Sequence, residues 1–406
     1  MSIVIFLSSL AHAAVPVVAT DRIDLDVNGF AHMFVMGQFV DDPARDDARA
    51  FLFLDQARLG LSGRLDRSTL NVQVAFGGET DAGPSLGLLD FAFATPLGMG
   101  ETVQVKAGQF RVPYGREQLA DDAGLAFGGR SLGQLAFVVG RDVGVAVVAR
   151  PGPVTVIGGV FTGGGRGVPV RYIPEELGIP LLVVRAGVGD AAQDPFALAT
   201  GSRDVDALEG AVYLNALYTR DSAVGHSTLL SVKSADKSVL LDETWNPYVG
   251  DPTKLGDWWQ AGADAVVRAP AGPWTLAVEL QGDVAGFESD AGSVLAIGGR
   301  AQVAASRGPV EVAARWACLV PDKAFPTDGD APIHEITPAV GVDLAARHVR
   351  ILLDLPIVVG APVYIEDGVG AYVGTDLPGQ ADLLAEGGTV ERQTVAAARL
   401  ALQGQF

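Results

Sequence analysis

From Gln56 to Leu65 the chain alternates two kinds of position. Ala57, Leu59, Leu61 and Leu65, with Gly63 among them, fall on one face, and Gln56, Arg58, Ser62 and Arg64 fall on the other. The next run repeats the pattern, with Leu70, Val72, Val74 and Phe76 set against Asn71 and Gln73. A period of two is the signature of a strand with one apolar and one wet face. Runs of this kind, about ten residues each, recur along the chain between clusters of Gly, Pro, Asp and Ser. Helical periodicity is nearly absent.

Starting from a strand near 24-40, the pattern predicts further strands near 50-65, 69-77, 86-96, 102-111, 137-150, 154-162, 208-219, 224-234, 257-268, 273-283, 293-305, 310-319, 336-346, 349-358 and 390-406. Alternation alone fits a soluble sandwich as well as a membrane barrel. The links between strands discriminate. Asp66-Arg67, Arg150 to Pro153, Ala269 to Pro273, Ser306 to Pro309 and Ala346 to His348 are short and carry turn chemistry. Between them lie long links at 41-49, 78-85, 112-136, 163-207, 235-256, 284-292, 320-335 and 359-389. Short turns at one rim and long loops at the other belong to an all-β, transmembrane antiparallel β-barrel of about sixteen strands, with periplasmic turns and outer loops.

Composition narrows this further. Residues such as Arg141, Asp142, Arg150 and Arg268 interrupt every uncharged stretch before it reaches the ~18 apolar residues of a transmembrane helix. Residues 14-406 offer no linker at which to divide them, so a single barrel domain is expected. Ile3 to Leu7 and the small residues up to Ala13 read as a signal peptide, 1-13, cleaved after Ala13 with Ala14 as the alternative. No positive charge precedes that apolar run. Cys318 is the lone cysteine, which excludes an intrachain disulfide framework. The net charge of −19, from 29 basic and 48 acidic residues, argues against nucleic-acid partners. A Gram-negative outer membrane, with its lipid and lipopolysaccharide, is the environment this combination implies.

The last strand alternates again. Ala396, Ala398, Leu400, Leu402 and Phe406 lie on one face, and Gln393, Arg399, Gln403 and Gln405 on the other. An amphipathic strand ending in Phe resembles the segment by which outer-membrane barrels are recognised for assembly.

Four segments together resemble the phosphate-selective porin O and P family. They are Arg58-Leu59-Gly60-Leu61-Ser62-Gly63, the run Gly108-Gln109-Phe110-Arg111-Val112-Pro113-Tyr114-Gly115-Arg116-Glu117, Arg141-Asp142-Val143-Gly144-Val145, and Gly159-Val160-Phe161-Thr162-Gly163-Gly164-Gly165, where Thr162 replaces the usual Asn. Beyond residue 170 only the general barrel pattern remains. The resemblance implies a sixteen-stranded barrel, a homotrimer, and a third loop folded into the lumen as a constriction. The residues support the last point independently. Pro113 cannot donate to a strand ladder and Gly115 permits an inward turn, so 112-136 is the candidate constriction loop.

Motifs for catalysis are missing. His32, His226, His334 and His348 lack metal-ligand spacing, there is no Gly-x-Ser-x-Gly elbow, and Gly163 to Gly167 lacks the Lys-Ser/Thr of a phosphate loop. Asp328-Gly329-Asp330 and the group Asp41, Asp42, Asp46 and Asp47 have calcium-like composition without the spacing of a calcium loop, and read as solvated surface. No enzyme, cofactor or resident metal is expected.

The polar faces give the candidate pore lining: Arg58, Arg64, Lys106, Arg111, Arg116, Arg130, Arg268, Arg300, Arg315 and Arg399, with Asp90, Asp264, Glu279 and Asp343 among them. Basic side chains on an inward face form a ladder for anions. The competing reading pairs each Arg with an acid of a neighbouring strand. A phosphate-selective pore calls for dense Lys and Arg in the third loop, but 112-136 offers only Arg116 and Arg130 against Glu117, Asp121 and Asp122. The expectation is therefore a passive channel for small solutes with anion preference; a surface-interaction barrel with an occluded lumen is the alternative.

Overall fold

A computed structural model describes residues 15-20, 22-41, 48-76, 86-98, 102-137, 140-163, 165, 178-189, 194-198, 200-202, 205-222, 255-289, 292-320, 331-344, 348-366, 369-372 and 389-406. The strands are β1 (Val15–Ala19), β2 (Ile23–Asp41), β3 (Ala48–Leu65), β4 (Ser68–Phe76), β5 (Leu86–Pro96), β6 (Val103–Arg111), β7 (Arg141–Ala149), β8 (Val154–Phe161), β9 (Ile179–Val188) and β10 (Glu209–Ser222). They continue with β11 (Leu255–Ala271), β12 (Trp274–Ser289), β13 (Gly292–Arg307), β14 (Val310–Val320), β15 (Ile333–Leu344), β16 (Val349–Asp354), β17 (Ile357–Glu366), β18 (Val369–Tyr372) and β19 (Thr389–Gln405). Two short helices, α1 (Arg116–Leu119) and α2 (Leu132–Phe137), lie between β6 and β7.

Each strand from β2 to β15 pairs antiparallel with the next, and β19 closes the ring against β2 from Thr394↔Asp41 to Gln405↔Phe30. β16 and β17 are one wall strand interrupted at Leu355-Pro356, since both pair with β15 on one side and β19 on the other. The result is a closed antiparallel barrel of sixteen strands, with β18 extending the β17 hairpin and β1 running beside β2 past the end of β19. Closure leaves no unpaired edge, the condition for placing strands in hydrocarbon.

The seam is tight. Gly29 and Phe406 exchange both backbone hydrogen bonds, at 2.9 and 3.0 Å, and a Cβ on Gly29 would stand 2.2 Å from the Phe406 ring. Turn chemistry accounts for the short links: Asp66 takes φ 52 in the Asp66-Arg67 hairpin, and Gly272 takes φ 63 before Pro273.

Alternation sorts the two surfaces. Outward, Leu59, Val212, Leu214, Leu280, Val303, Leu400 and Leu402 are exposed, Leu214 at 66%. Inward, Arg58, Asp264, Glu279, Arg300, Arg315 and Arg399 are buried. Charged residues on the outward register, such as Arg220, Asp257, Glu288 and Arg307, stand at strand ends. A basic charge at mid-membrane on such a face costs about 2–4 kcal/mol, which explains the distribution. Ala57 and Leu61 share the outward register with Leu59 and are half-buried by their neighbours.

The strand count matches the sequence expectation through two compensating differences. β9 lies inside 163-207, which was read as one loop, and β10 pairs directly with β11 along its length. The segment 224-234, read as a strand, lies outside the described residues, as do residues 1-13. Strand β7 begins at Arg141 rather than 137 because Leu132–Phe137 is helical. The loop 163-207 thus separates into a link between β8 and β9 at the long-loop rim and a link between β9 and β10 at the short-turn rim.

Candidate functional site: the barrel lumen

β6 ends at Arg111, and Pro113 follows it. Gly115 then adopts φ 67, a conformation open to glycine and strained for other residues, and its N–H donates to Asn215 Oδ1 on β10 at 3.2 Å. From there the chain crosses the barrel interior. Tyr114 donates its hydroxyl to Asp283 of β12 at 2.9 Å, and burial together with that carboxylate holds the phenol protonated. Glu117 meets Arg300 of β13 at 3.2 Å and Arg315 of β14 at 3.3 Å. The Gly128 N–H donates to Asp354 of β16 at 2.7 Å, the Leu132 N–H to Glu335 of β15 at 2.6 Å, and the Phe137 carbonyl accepts from Gln260 of β11 at 3.1 Å. On the opposite wall, Asp122 pairs with Arg58 of β3 and lies 3.5 Å from Arg111. One segment is therefore anchored to walls on both sides of the lumen.

Electrostatics fix its charge state. Burial pushes the Glu117 carboxyl up, but Arg300, Arg315 and the Ser131 hydrogen bonds outweigh it and hold that carboxyl below its usual range. Asp122 behaves alike: burial opposes ionisation, and Arg58, Arg130 and Arg111 overcome it.

The predicted pore-lining residues form two clusters, with Arg116, Lys106 and Arg64 outside both. Arg58, Arg111 and Arg130 converge on Asp121 and Asp122, with Arg130 Nη2 2.5 Å from Asp122 and Arg111 Nη1 2.6 Å from the Ala120 carbonyl. Arg268, Arg300, Arg315 and Arg399 stand on the far wall, each against a carboxylate: Arg268 with Glu279 at 3.6 Å, Arg300 with Glu279 at 3.1 Å, Arg315 with Glu335 at 2.5 Å, and Arg399 with both oxygens of Asp354 at 2.8 and 2.7 Å. Arg116 is fully buried in α1. Lys106 lies over the Phe110 and Phe196 rings at 5.0 and 4.1 Å. Arg64 is apart from these, half-exposed near the Asp66 turn and 3.7 Å from Asp24.

Several lumen residues escaped the sequence reading. Arg185 of β9 is 1% exposed and bidentate to Asp264 of β11, at 2.5 and 2.9 Å, with Tyr213 beneath its guanidinium. Arg350 holds Glu311 at 2.5 Å. Arg141 pairs with Asp90 at 3.1 Å, and the adjacent Asp142 carboxylate accepts from Val143, Thr162 and Gly163 at the start of β7.

The largest surprise is a second insert. The link between β9 and β10 leaves the short-turn rim and enters the lumen. Phe196 joins Phe110, Tyr114, Phe161, Leu181 and Val183 in an apolar cluster. Leu198 bridges Ala120, its N–H donating to the Leu119 carbonyl at 2.9 Å, and Thr200 donates to the Gly124 carbonyl at 3.0 Å. The two inserts, from opposite rims, meet inside the barrel.

Among the described residues, no group of three or more His, Cys, Asp or Glu could hold a metal ion. Asp42, Asp46, Asp47, Asp328 and Asp330 lie outside those residues.

No known protein family matches the chain, and no curated protein does. Solved structures do resemble it. OmpT, an outer membrane protein of Vibrio cholerae in a trimer form, superposes with a TM-score of 0.54 at 14% identity, over 95% of this chain and 100% of that one. OprB of Pseudomonas putida gives 0.57 at 13% identity over 94% of each chain. An anion-selective porin from Comamonas acidovorans gives 0.56 at 14% identity, over 94% of this chain and 100% of that one. Identity this low carries the fold alone, a closed antiparallel barrel of sixteen strands.

Proposed function

We propose that the chain is a passive diffusion channel of a Gram-negative outer membrane, admitting small hydrophilic solutes. One observation carries the reading: a closed barrel with an apolar outer wall encloses a lumen of charged side chains, and the segment 112-137 is pinned across that lumen from Arg58 to Arg315. A core meant only for stability has little use for so many ionised groups, because replacing buried ion pairs with apolar side chains is often neutral or favourable. The fold likeness to porins supports the same reading.

Selectivity follows from the pairing. Arg58, Arg111, Arg130, Arg268, Arg300, Arg315 and Arg399 each face a carboxylate, so any anion preference is weak. Phosphate selectivity is not part of the proposal. Lipid and lipopolysaccharide contact the outer wall, and a homotrimer is the proposed assembly. A second reading, an occluded surface-interaction barrel, draws on the burial of Glu279 and Thr337, both at 0%. Single-channel recording in a planar bilayer tests the choice. Discrete conductance steps with a small reversal potential across a salt gradient are expected; silence from correctly folded barrels would favour the occluded reading.

A further inference from the structure

The second insert is seated by its backbone. The Gly201 N–H donates to Glu279 Oε1 at 2.9 Å, and the Gly201 carbonyl accepts from Arg268 Nε at 3.0 Å. The Ser202 N–H and hydroxyl both donate to Glu311 Oε1, at 2.8 and 2.7 Å. These wall groups are deeply buried, Glu279 at 0%, Arg268 at 1% and Glu311 at 9%. Gly201 takes φ 75, and a Cβ there would stand 2.8 Å from Glu311 Oε1, so the wall approaches the backbone as closely as a glycine allows. No side chain of the insert is read at this seat except a hydroxyl. Two acidic stations take N–H donors and one basic station takes a carbonyl oxygen, spaced for consecutive residues of a peptide.

We infer that Glu279, Glu311 and Arg268 form a binding site for short peptides with a free amino end, which the chain's own Gly201-Ser202 occupies until a solute displaces it. An ammonium group suits Glu279, the carbonyl that follows it suits the Arg268 guanidinium and the next amide N–H suits Glu311, the order in which Gly201 and Ser202 meet them, and hydrogen bonds involving charged partners are the strong ones. The insert is thus a tethered competitor for that seat, and a bound solute takes its place in the lumen. This rests on the diffusion-channel reading and names its solute class.

The test uses the full-length protein in planar bilayers with glycylserine as probe. Ser202→Pro removes the N–H and the hydroxyl that hold Glu311, leaving the wall untouched. Losing hydrogen bonds to a charged acceptor weakens the insert's hold by about tenfold or more, so glycylserine should block the Ser202→Pro current at about one tenth of the concentration needed in the wild type. Adding Glu311→Gln should reverse that gain, and acetate should block neither protein. Equal blocking of wild type and Ser202→Pro, or blocking by acetate as strong as by glycylserine, would overturn the peptide site while leaving the channel intact. No conductance from either protein would overturn the channel reading and the inference with it. Should Ser202→Pro fail to fold, liposome swelling with the wild type decides: glycylserine should enter several-fold faster than triethylene glycol of similar size, and equal rates would overturn the inference.

Discussion

Two segments reach the lumen from opposite rims and are held in different ways. The insert at 112-137 is gripped by side chains: Glu117 by Arg300 and Arg315, Asp122 by Arg58 and Arg130, Tyr114 by Asp283. The insert at 194-202 contributes peptide groups and one hydroxyl to carboxylates that belong to the wall. Charge on a loop fastens it through buried ion pairs, whose disruption leaves an uncompensated charge. The backbone contacts at Gly201 and Ser202 leave no charge of the insert to strand at that seat when it moves. The first segment is therefore built as a fixture and the second as a part that can leave.

The contrast can be broken most directly at Glu117. Glu117→Ala removes the loop-side partner of Arg300 and Arg315, which keep Glu279 and Glu335, and the lost charge-assisted contacts should cost about 1.5–3 kcal/mol. Unfolding on heated gels should occur at clearly lower temperature, and single-channel current should rise severalfold. Deleting Phe406 should act on assembly, since its backbone and ring close the seam at Gly29; the heat-modifiable folded band should be strongly reduced.

Acid probes the same asymmetry. The Glu117 carboxyl is depressed below its ordinary 4.5, so its stabilising contribution is complete above about that pH and is lost as pH falls through the lower folded value. A rise in conductance from loss of the Glu117 anchor should appear only in acid below its ordinary range. A smooth change between pH 7 and 5 would place control on other groups. The smallest effect is expected from Lys106→Ala and Arg116→Ala, each shifting the reversal potential slightly toward cations, because the surrounding arginines are already neutralised by acids.

This contrast also marks what could be read in the chain. Pro113 and Gly115 announce where β6 stops and turns, and regular alternation reveals strands such as β3 and β19, whose inner faces are polar. β9 is hidden for a physical reason. Leu181 and Val183 face inward against Phe196 and Tyr114, while Leu182 and Val184 face outward, so the strand is apolar on both sides and shows no period of two. The second insert erased the signal of the strand it covers. Pro195 and Gly201 lie within it, but its partners Glu279 and Glu311 lie far along the sequence. The basic ladder and its possible pairing with acids were both legible, but which carboxylate each Arg meets was not: Glu279, Glu335 and Asp354 come from strands whose register only pairing reveals, and Asp122 from the loop.

The two inserts meet in the lumen, and the Ala120↔Leu198 bridge is where they touch. In a Cys318→Ser background, Ala120→Cys with Leu198→Cys places one thiol on each insert. Single-channel current measured before and after reduction of that pair is the deciding measurement. Low, steady conductance when oxidised and larger, fluctuating conductance when reduced is the result predicted; efficient cross-linking with no change in current would contradict the claim that these segments together narrow the channel.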